Sequence, residues 1–438
     1  MPRSESGRAP RVVFVTITFD PEPGALRGLP LARWLARRGY DVRVLTGFPQ
    51  YPGGKVYPGY RIRPWQWETM DGIPVLRVPL YPSHDTRALR RIWTYLSFML
   101  SAATLGVALV GRADVVYLYE PPPTNGLASL LLKWFRGAPV VHHIADMWPE
   151  TVLGSGMLPA GRVQKVAERL IGAWCRFLYR RADVMSVLSP GFKRMLVERG
   201  VPAEKVEVIY NWTDEDAFRP VPRDPALARE LGLDGKFNVI YAGNIGPLQG
   251  IDTVVRAAVL AAPRCPELQV TIVGTGPLSD EVRSLADELG ATNVRFVPRR
   301  EYWEMPQINA LADVLLVHLR DFPFLASTIP SKTQVSLASG RPVLIGVRGD
   351  AADLVLQAGG GVAVPPEDPA AMADAMVELA RMSPAERDAM GRRGREYYLR
   401  NLSLDIAGEQ HDRIFRRLAA GRRRARARLG ARGRESGD

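Results

Sequence analysis

Residues 237–262 run FNVIYAGNIGPLQGIDTVVRAAVLAA, a stretch that carries strand, turn and helix signals in one piece. The apolar run 239–242 meets a glycine turn, Gly243-Asn244-Ile245-Gly246, and then Gly250. Beyond Gly250 the apolar residues Ile251, Val254, Val255 and Ala258 recur at helical spacing. The pattern predicts a strand, a tight turn and a helix. Glycines let backbone amides come close to a ligand, and a helix start adds partial positive charge. The expected guest is an anionic group such as a diphosphate. An ordinary βα turn carries the same pattern, so a second cradle at 327–344 adds weight.

Outward from this stretch, strand patterns alternate with helical ones. They fall at 11–18, 41–46, 75–80, 115–119, 139–144, 184–188 and 206–210. A second series follows at 239–242, 270–273, 294–296, 314–317, 342–345 and 361–364. Such alternation predicts parallel sheets covered on both faces. Two Rossmann-like α/β domains facing across a cleft are expected, 1–215 and 216–400, with a proline-rich linker at 211–222. A chain of 438 residues is long enough for both cores.

Apolar content of 46% and charged content of 24% exclude a disordered or fibrous chain. The net charge of +12 is uneven: residues 416–438 hold nine Arg against Glu435 and Asp438. The tail 419–438 reads as basic and disordered, suited to anionic lipid. No aromatics interleave its arginines, so nucleic acid is the weaker fit and no nucleic-acid partner is expected. Cys175 and Cys265 form no disulfide framework and no metal spacing, which suits a reducing compartment. No metal site is expected. The N-terminus reads as a loose leader before a buried first strand, not as a signal peptide.

Residues 92–110 carry no charge, and a spanning helix needs about 20 such residues. Flanking strands that should share one sheet argue for a buried helix, with a helix lying in the membrane surface as the alternative. Residues 163–181 place Val166, Leu170, Trp174 and Phe177 on one face among Lys and Arg, which fits a membrane-facing helix and a sheet-packed one equally.

In the second cradle, STIPSKTQ at 327–334 places Pro330 at a first helical position and Gly340 at the stop. Free amides there, with Ser331, Lys332 and Gln334, make an anion site. Gly274 and Gly276, in the turn VGTGP, read as a wall of the same site. In the first half Asp146 and Glu150 follow a strand end, where a carboxylate can bind or deprotonate a substrate hydroxyl. His142 and His143 point to opposite strand faces, so one is structural. Gly24, in the turn PGALR, suits the sugar or phosphate end of a ligand.

These marks together resemble a family 4 glycosyltransferase of bacterial surface-polysaccharide assembly. They are Gly24, TGFPQYPGGKVYPGY, ADMWPE, VIYNWTD, YAGNIGPLQGID, IVGTGP, NVRFV and IPSKTQVSLASGRPVL. The resemblance implies the GT-B fold, with a helix at 401–418 returning to the first domain. It implies a retaining, metal-independent transfer from a nucleotide-diphosphate sugar, with no further cofactor. The first domain would bind the acceptor, a polyprenyl-diphosphate-linked glycan, at the cytoplasmic face of the cell membrane. The second would bind the donor, with Phe296 and Val297 of NVRFV beside it. Asp146 and Lys332 would carry the catalysis.

The sequence departs from the family at several places. Asn244 and Gln249 stand where Arg and Lys usually flank the diphosphate, leaving the charge to Lys332 and the helix amides. The family's paired Glu fall at Ser327 and Val335, and its His before Asp146 is Ala145. A UDP-sugar 2-epimerase of the same fold and a non-catalytic nucleotide-sugar-binding protein are the alternative readings.

Overall fold

The computed structural model describes residues 9–22, 28–83, 88–150 and 161–435. Two compact units divide the chain. The first comprises Met1–Leu188, Phe192–Ile209 and Ala407–Asp438; the second comprises Ser189–Gly191 and Tyr210–Ile406.

The first unit is an eight-stranded sheet of order β3-β4-β2-β1-β5-β6-β7-β8. Its strands are β1 Arg11–Val15, β2 Asp41–Gly47, β3 Gln66–Met70, β4 Ile73–Val78, β5 Val115–Glu120, β6 Val140–Ile144, β7 Val184–Val187 and β8 Val206–Val208. All pair in parallel except β3, which runs antiparallel to β4. The sheet is therefore mixed, against the wholly parallel expectation. The cause is Asp71-Gly72, both at positive φ (48° and 82°), which turn the chain tightly between β3 and β4.

The helix Ala88–Ser101 continues through a π-turn, Ala102–Gly106, to Val107–Leu109. Phe98, Ala102 and Val107 pack on Leu45, Val78 and Leu80, while Leu89, Trp93 and Leu100 face outward. Leu89–Leu109 is long and apolar enough to cross a membrane. Yet β4 and β5, on either side of it, belong to one sheet, and the helix covers that sheet. It is neither wholly buried nor wholly exposed.

The final helix, Leu404–Glu435, packs on the first unit from Ala407 onward. Gly408 lies against the Trp34 indole, where a Cβ would meet ring carbons at 2.5 Å. Tyr40 donates to Asp412 at 2.6 Å, and Arg422 pairs with Asp114 at 2.5 Å. The expected disordered tail is instead helical to Glu435. Its Arg, Ala and Leu content suits a helix, and none of its residues is Pro.

The second unit is a six-stranded parallel sheet of order β11-β10-β9-β12-β13-β14. Its strands are β9 Phe237–Ala242, β10 Leu268–Val273, β11 Val294–Val297, β12 Val314–His318, β13 Val343–Gly346 and β14 Gly361–Ala363. Strand order reverses between β9 and β12, which opens a crevice at their carboxyl ends. The expected linker differs too. The second unit begins at Tyr210, and Trp212 and Phe218 are buried, so residues 211–222 are packed chain with few free joints.

Candidate functional site

A cavity of about 610 Å³ opens where β9 and β12 part, a size ordinary for small-molecule sites. Three backbone bends converge on it: the turn after β9 with Gly243 and Asn244, the turn after β10 with Gly274 and Thr275, and the start of the helix Ser331–Ala338. The bends touch through bare backbone. Gly243 and Gly274 have φ of 152° and 142°, values that L side chains rarely adopt. A Cβ on Gly274 would lie 2.0 Å from the Gly243 carbonyl oxygen, and one on Gly276 would lie 2.2 Å from that of Ile245. Gly276 thus holds the two turns together and does not itself line the cavity.

Lys332 enters from the helix start. Its ammonium sits 3.8 Å from the centroid of the Tyr241 ring. It also lies 2.7 Å from where Gly243 would carry a Cβ, so only glycine leaves room for it. No carboxylate pairs with it among the described residues. Loss of water around the ammonium lowers its pKa from 10.5 to about 7. The Tyr241 hydroxyl donates to the Asn244 carbonyl at 2.6 Å, fixing both the ring and the turn.

Pro330 takes the N-cap position and Ser331 the first helical one, one place later than the spacing predicts. No side chain caps this helix, so its first amides are open to a ligand. Gly340, at φ 67°, ends it as expected.

Asn244 and Gln249 both line the cavity but are bonded to each other. The Gln249 side-chain oxygen accepts from Asn244 Nδ2 at 3.2 Å and from the Gly246 amide at 3.1 Å. Behind them His318 Nδ1 meets the Gln249 carbonyl at 2.7 Å, and Arg320 donates to the Pro247 carbonyl at 3.0 Å. Arg320 in turn pairs with Asp252 and Glu367. The glycine turn is therefore rigidly braced from β12.

Gly243, Asn244, Gln249, Gly274, Ser331 and Lys332 are brought together in the lining of this cavity. Phe296, Val297 and Gln334 fall outside the lining. Phe296 stacks under Arg283, Val297 joins the apolar core, and Gln334 is buried with its amide turned to Pro330. Gly24 lies outside the described residues. Arg299 and Arg300 line the cavity and escaped the sequence reading. They directly follow NVRFV and Pro298, and a cationic pair just past a strand end was the available signal. Arg300 is engaged by Glu304 and Glu230, whereas Arg299 has no ion pair among the described residues. Val335, at one of the family's Glu positions, also lines the cavity.

Asp146 belongs to the first unit and is half-buried just beyond β6. Glu150 is held by Arg199 at 2.5 Å. His142 is bonded to the buried Glu120 and His143 to Ser186, so both histidines are structural. Among the described residues no group of three His, Cys, Asp or Glu could hold a metal ion.

Comparison with known proteins decides the family. The glycosyl transferase 4-like domain matches residues 27–212, and glycosyl transferases group 1 matches residues 236–382. The putative colanic acid biosynthesis glycosyl transferase WcaI of Escherichia coli K12 is 30% identical, over 76% of this chain and 83% of its own. The chain is a family 4 glycosyltransferase. The GDP-mannose-dependent alpha-(1-6)-phosphatidylinositol monomannoside mannosyltransferase of Mycobacterium tuberculosis H37Rv is also 30% identical to the glycosyltransferase, over 88% and 93% of the two chains. Solved structures share the GT-B fold. HepE of Anabaena, in complex with UDP and glucose, aligns with a TM-score of 0.65 at 16% identity, over 92% of this glycosyltransferase and 98% of HepE. Sucrose-phosphate synthase from Thermosynechococcus elongatus gives 0.68 at 19%, over 94% and 100%.

Proposed function

We propose that this glycosyltransferase moves a sugar, with retention, from a nucleotide-diphosphate sugar to a lipid-linked glycan in surface-polysaccharide assembly, without a metal. The carrying observation is Lys332: an ammonium with no carboxylate partner among the described residues, at an uncapped helix start, facing two glycine turns. As the sugar–phosphate bond breaks, negative charge grows on the departing diphosphate. Lys332, the Ser331 and Lys332 amides and Arg299 meet that charge in a site poorer in water than bulk. Asp146 serves the acceptor hydroxyl.

The WcaI name supports polysaccharide assembly, and the mannosyltransferase name supports an acceptor carried on lipid. An exposed apolar surface supports work at a membrane. Leu89, Trp93 and Leu100 stand out from the helix over β4 and β5, and Trp134 and Phe135 from the helix Gly126–Arg136. Such a surface fits an interfacial position on the cytoplasmic face of the cell membrane.

The test is a transfer assay on a short polyprenyl-diphosphate sugar, with donors chosen by a thermal-shift screen of nucleotide sugars. Lys332→Ala is expected to lower turnover by about 10²–10³, the usual loss for one group that stabilises developing charge. Wild-type turnover by that variant would refute the role. Conversion of UDP-sugar with no acceptor present would favour the epimerase.

A further inference from the structure

The first unit holds a second cavity, of about 540 Å³, against the helix Arg162–Arg181. Lys165, Arg169, Gly172, Arg176 and Tyr179 line it, and their spacing puts them on one helix face. Opposite stands Arg199, which Glu150 neutralises at 2.5 Å and the Trp148 carbonyl holds at 2.9 Å. Lys165, Arg169 and Arg176 make no ion pair among the described residues, and Glu168 is the one further carboxylate in the lining. Three cations thus face one acid.

Two more observations point to a ligand. Tyr179 is 2% exposed, lines the cavity, and its hydroxyl has only the Cys175 thiol as a hydrogen-bond neighbour among the described residues. A thiol is a weak acceptor, so the buried hydroxyl gains from a stronger one. Burial and the nearby Glu120 push its pKa well up, so it stays an O–H donor. Gly172 sits mid-helix, where glycine is costlier than alanine. A Cβ there would approach Arg176 Nη1 to 3.3 Å, so the glycine leaves that guanidinium room to move. Beside this charged face, Val166 and Leu170 are 54% and 67% exposed. Cations next to bare apolar side chains on one helix match a membrane interface.

We infer that this cavity binds the phosphoryl group of a membrane lipid, with Lys165, Arg169 and Arg176 balancing its charge, the Tyr179 hydroxyl donating to it, and Val166 and Leu170 dipping into the bilayer surface. Naming lipid as the source rests on the membrane reading above; the phosphoryl chemistry does not.

The experiment is co-sedimentation of the full chain with phosphatidylcholine vesicles containing phosphatidic acid. Arg169→Gln with Arg176→Gln is compared with a charge-matched pair outside the cavity, Arg162→Gln with Arg180→Gln. The cavity pair should lose on the order of tenfold or more in vesicle affinity, and the control pair a fewfold. Tyr179→Phe should weaken binding several-fold while its melting temperature changes little, because only a weak bond to the Cys175 thiol is lost. Equal losses in the two pairs, or unchanged binding by Tyr179→Phe, would overturn the site. Inorganic pyrophosphate titrated by calorimetry separates the sources. Pyrophosphate binding that needs Arg169 and Arg176, in a protein that ignores phosphatidic acid vesicles, would overturn the lipid assignment. Donor binding by the cavity variants is expected to match wild type. Absence of sugar transfer by the wild-type chain would sink the transferase reading and leave the vesicle result standing.

Discussion

Lys332 is destabilising where it stands. In the unfolded chain it keeps its proton to about pH 10.5; folded, it releases it near pH 7. Between those values the unfolded state binds more protons, so wild-type stability climbs with pH across that window. Replacing the lysine by a neutral side chain of similar length removes the penalty. Lys332→Met is expected to be more stable than wild type at pH 6, on the order of 2–4 kcal/mol after allowing for partial solvation. Urea unfolding at pH 6 and pH 9.5 checks this: the gain should shrink strongly at the higher pH. A bound diphosphate supplies the missing counter-charge and raises the pKa again. Nucleotide affinity is therefore expected to fall as pH climbs above 7, with proton uptake on binding near pH 8, read by calorimetry in two buffers of different ionisation enthalpy. The lysine itself was legible, because STIPSK spells an uncapped helix start with a cation. Its ring contact with Tyr241 was not, because β9 and the site helix are far apart in sequence and meet only through the sheet.

Among the elements, the final helix shows how one face can be tuned. His411 is fully buried on it, its Nδ1 bonded to the Ala407 carbonyl at 2.7 Å and its Nε2 without a partner among the described residues. Tyr117 and Phe415 enclose the ring, and His143 is the nearest other imidazole, 6.2 Å away. Burial lowers its pKa from 6.5 to about 4. The folded state therefore loses stability as pH falls from 6.5 toward 4, by about 3 kcal/mol in all. His411→Leu should flatten that part of the acid transition, followed by denaturant midpoints at pH 7 and pH 4.5. Element legibility split along similar lines. The thirteen strand patterns read from the sequence all found strands, because buried parallel strands announce themselves as short apolar runs. β3, QWETM, did not, since it is half in water and mixes Gln, Glu and Thr with Trp and Met. The Asp71-Gly72 pair before Ile73 was the signal for it, a two-residue hairpin turn. The helical tail escaped because charge density argued for disorder, whereas its alanines and arginines favour helix.

For the molecule as a whole, the fold class was readable from alternation alone, but the packed character of residues 211–222 was not. Prolines 220, 222 and 225 suggested a linker, yet Phe218 anchors that segment in the second unit's core and Trp212 is buried. The first unit is assembled from both ends of the chain, and its last piece is Ala407–Asp438. A chain ending at Ile406 would leave Trp34, Tyr117 and Asp114 without their partners Gly408, Phe415 and Arg422. Limited proteolysis of that truncation is expected to cut within residues 9–209 while a fragment spanning 210–406 persists and still binds nucleotide diphosphate. Equal resistance of both regions would contradict the assignment.

The discontinuity also orders events at the ribosome. Residues 210–406 can leave the exit tunnel and fold while the opening half still waits for its closing segment. Until residues 407–435 have emerged, the nascent chain carries a bare aromatic seam around Trp34 and Tyr117, a natural handle for chaperones. A message that stops before the codon for Ala407 would therefore yield a product prone to capture or aggregation and not a merely shortened enzyme.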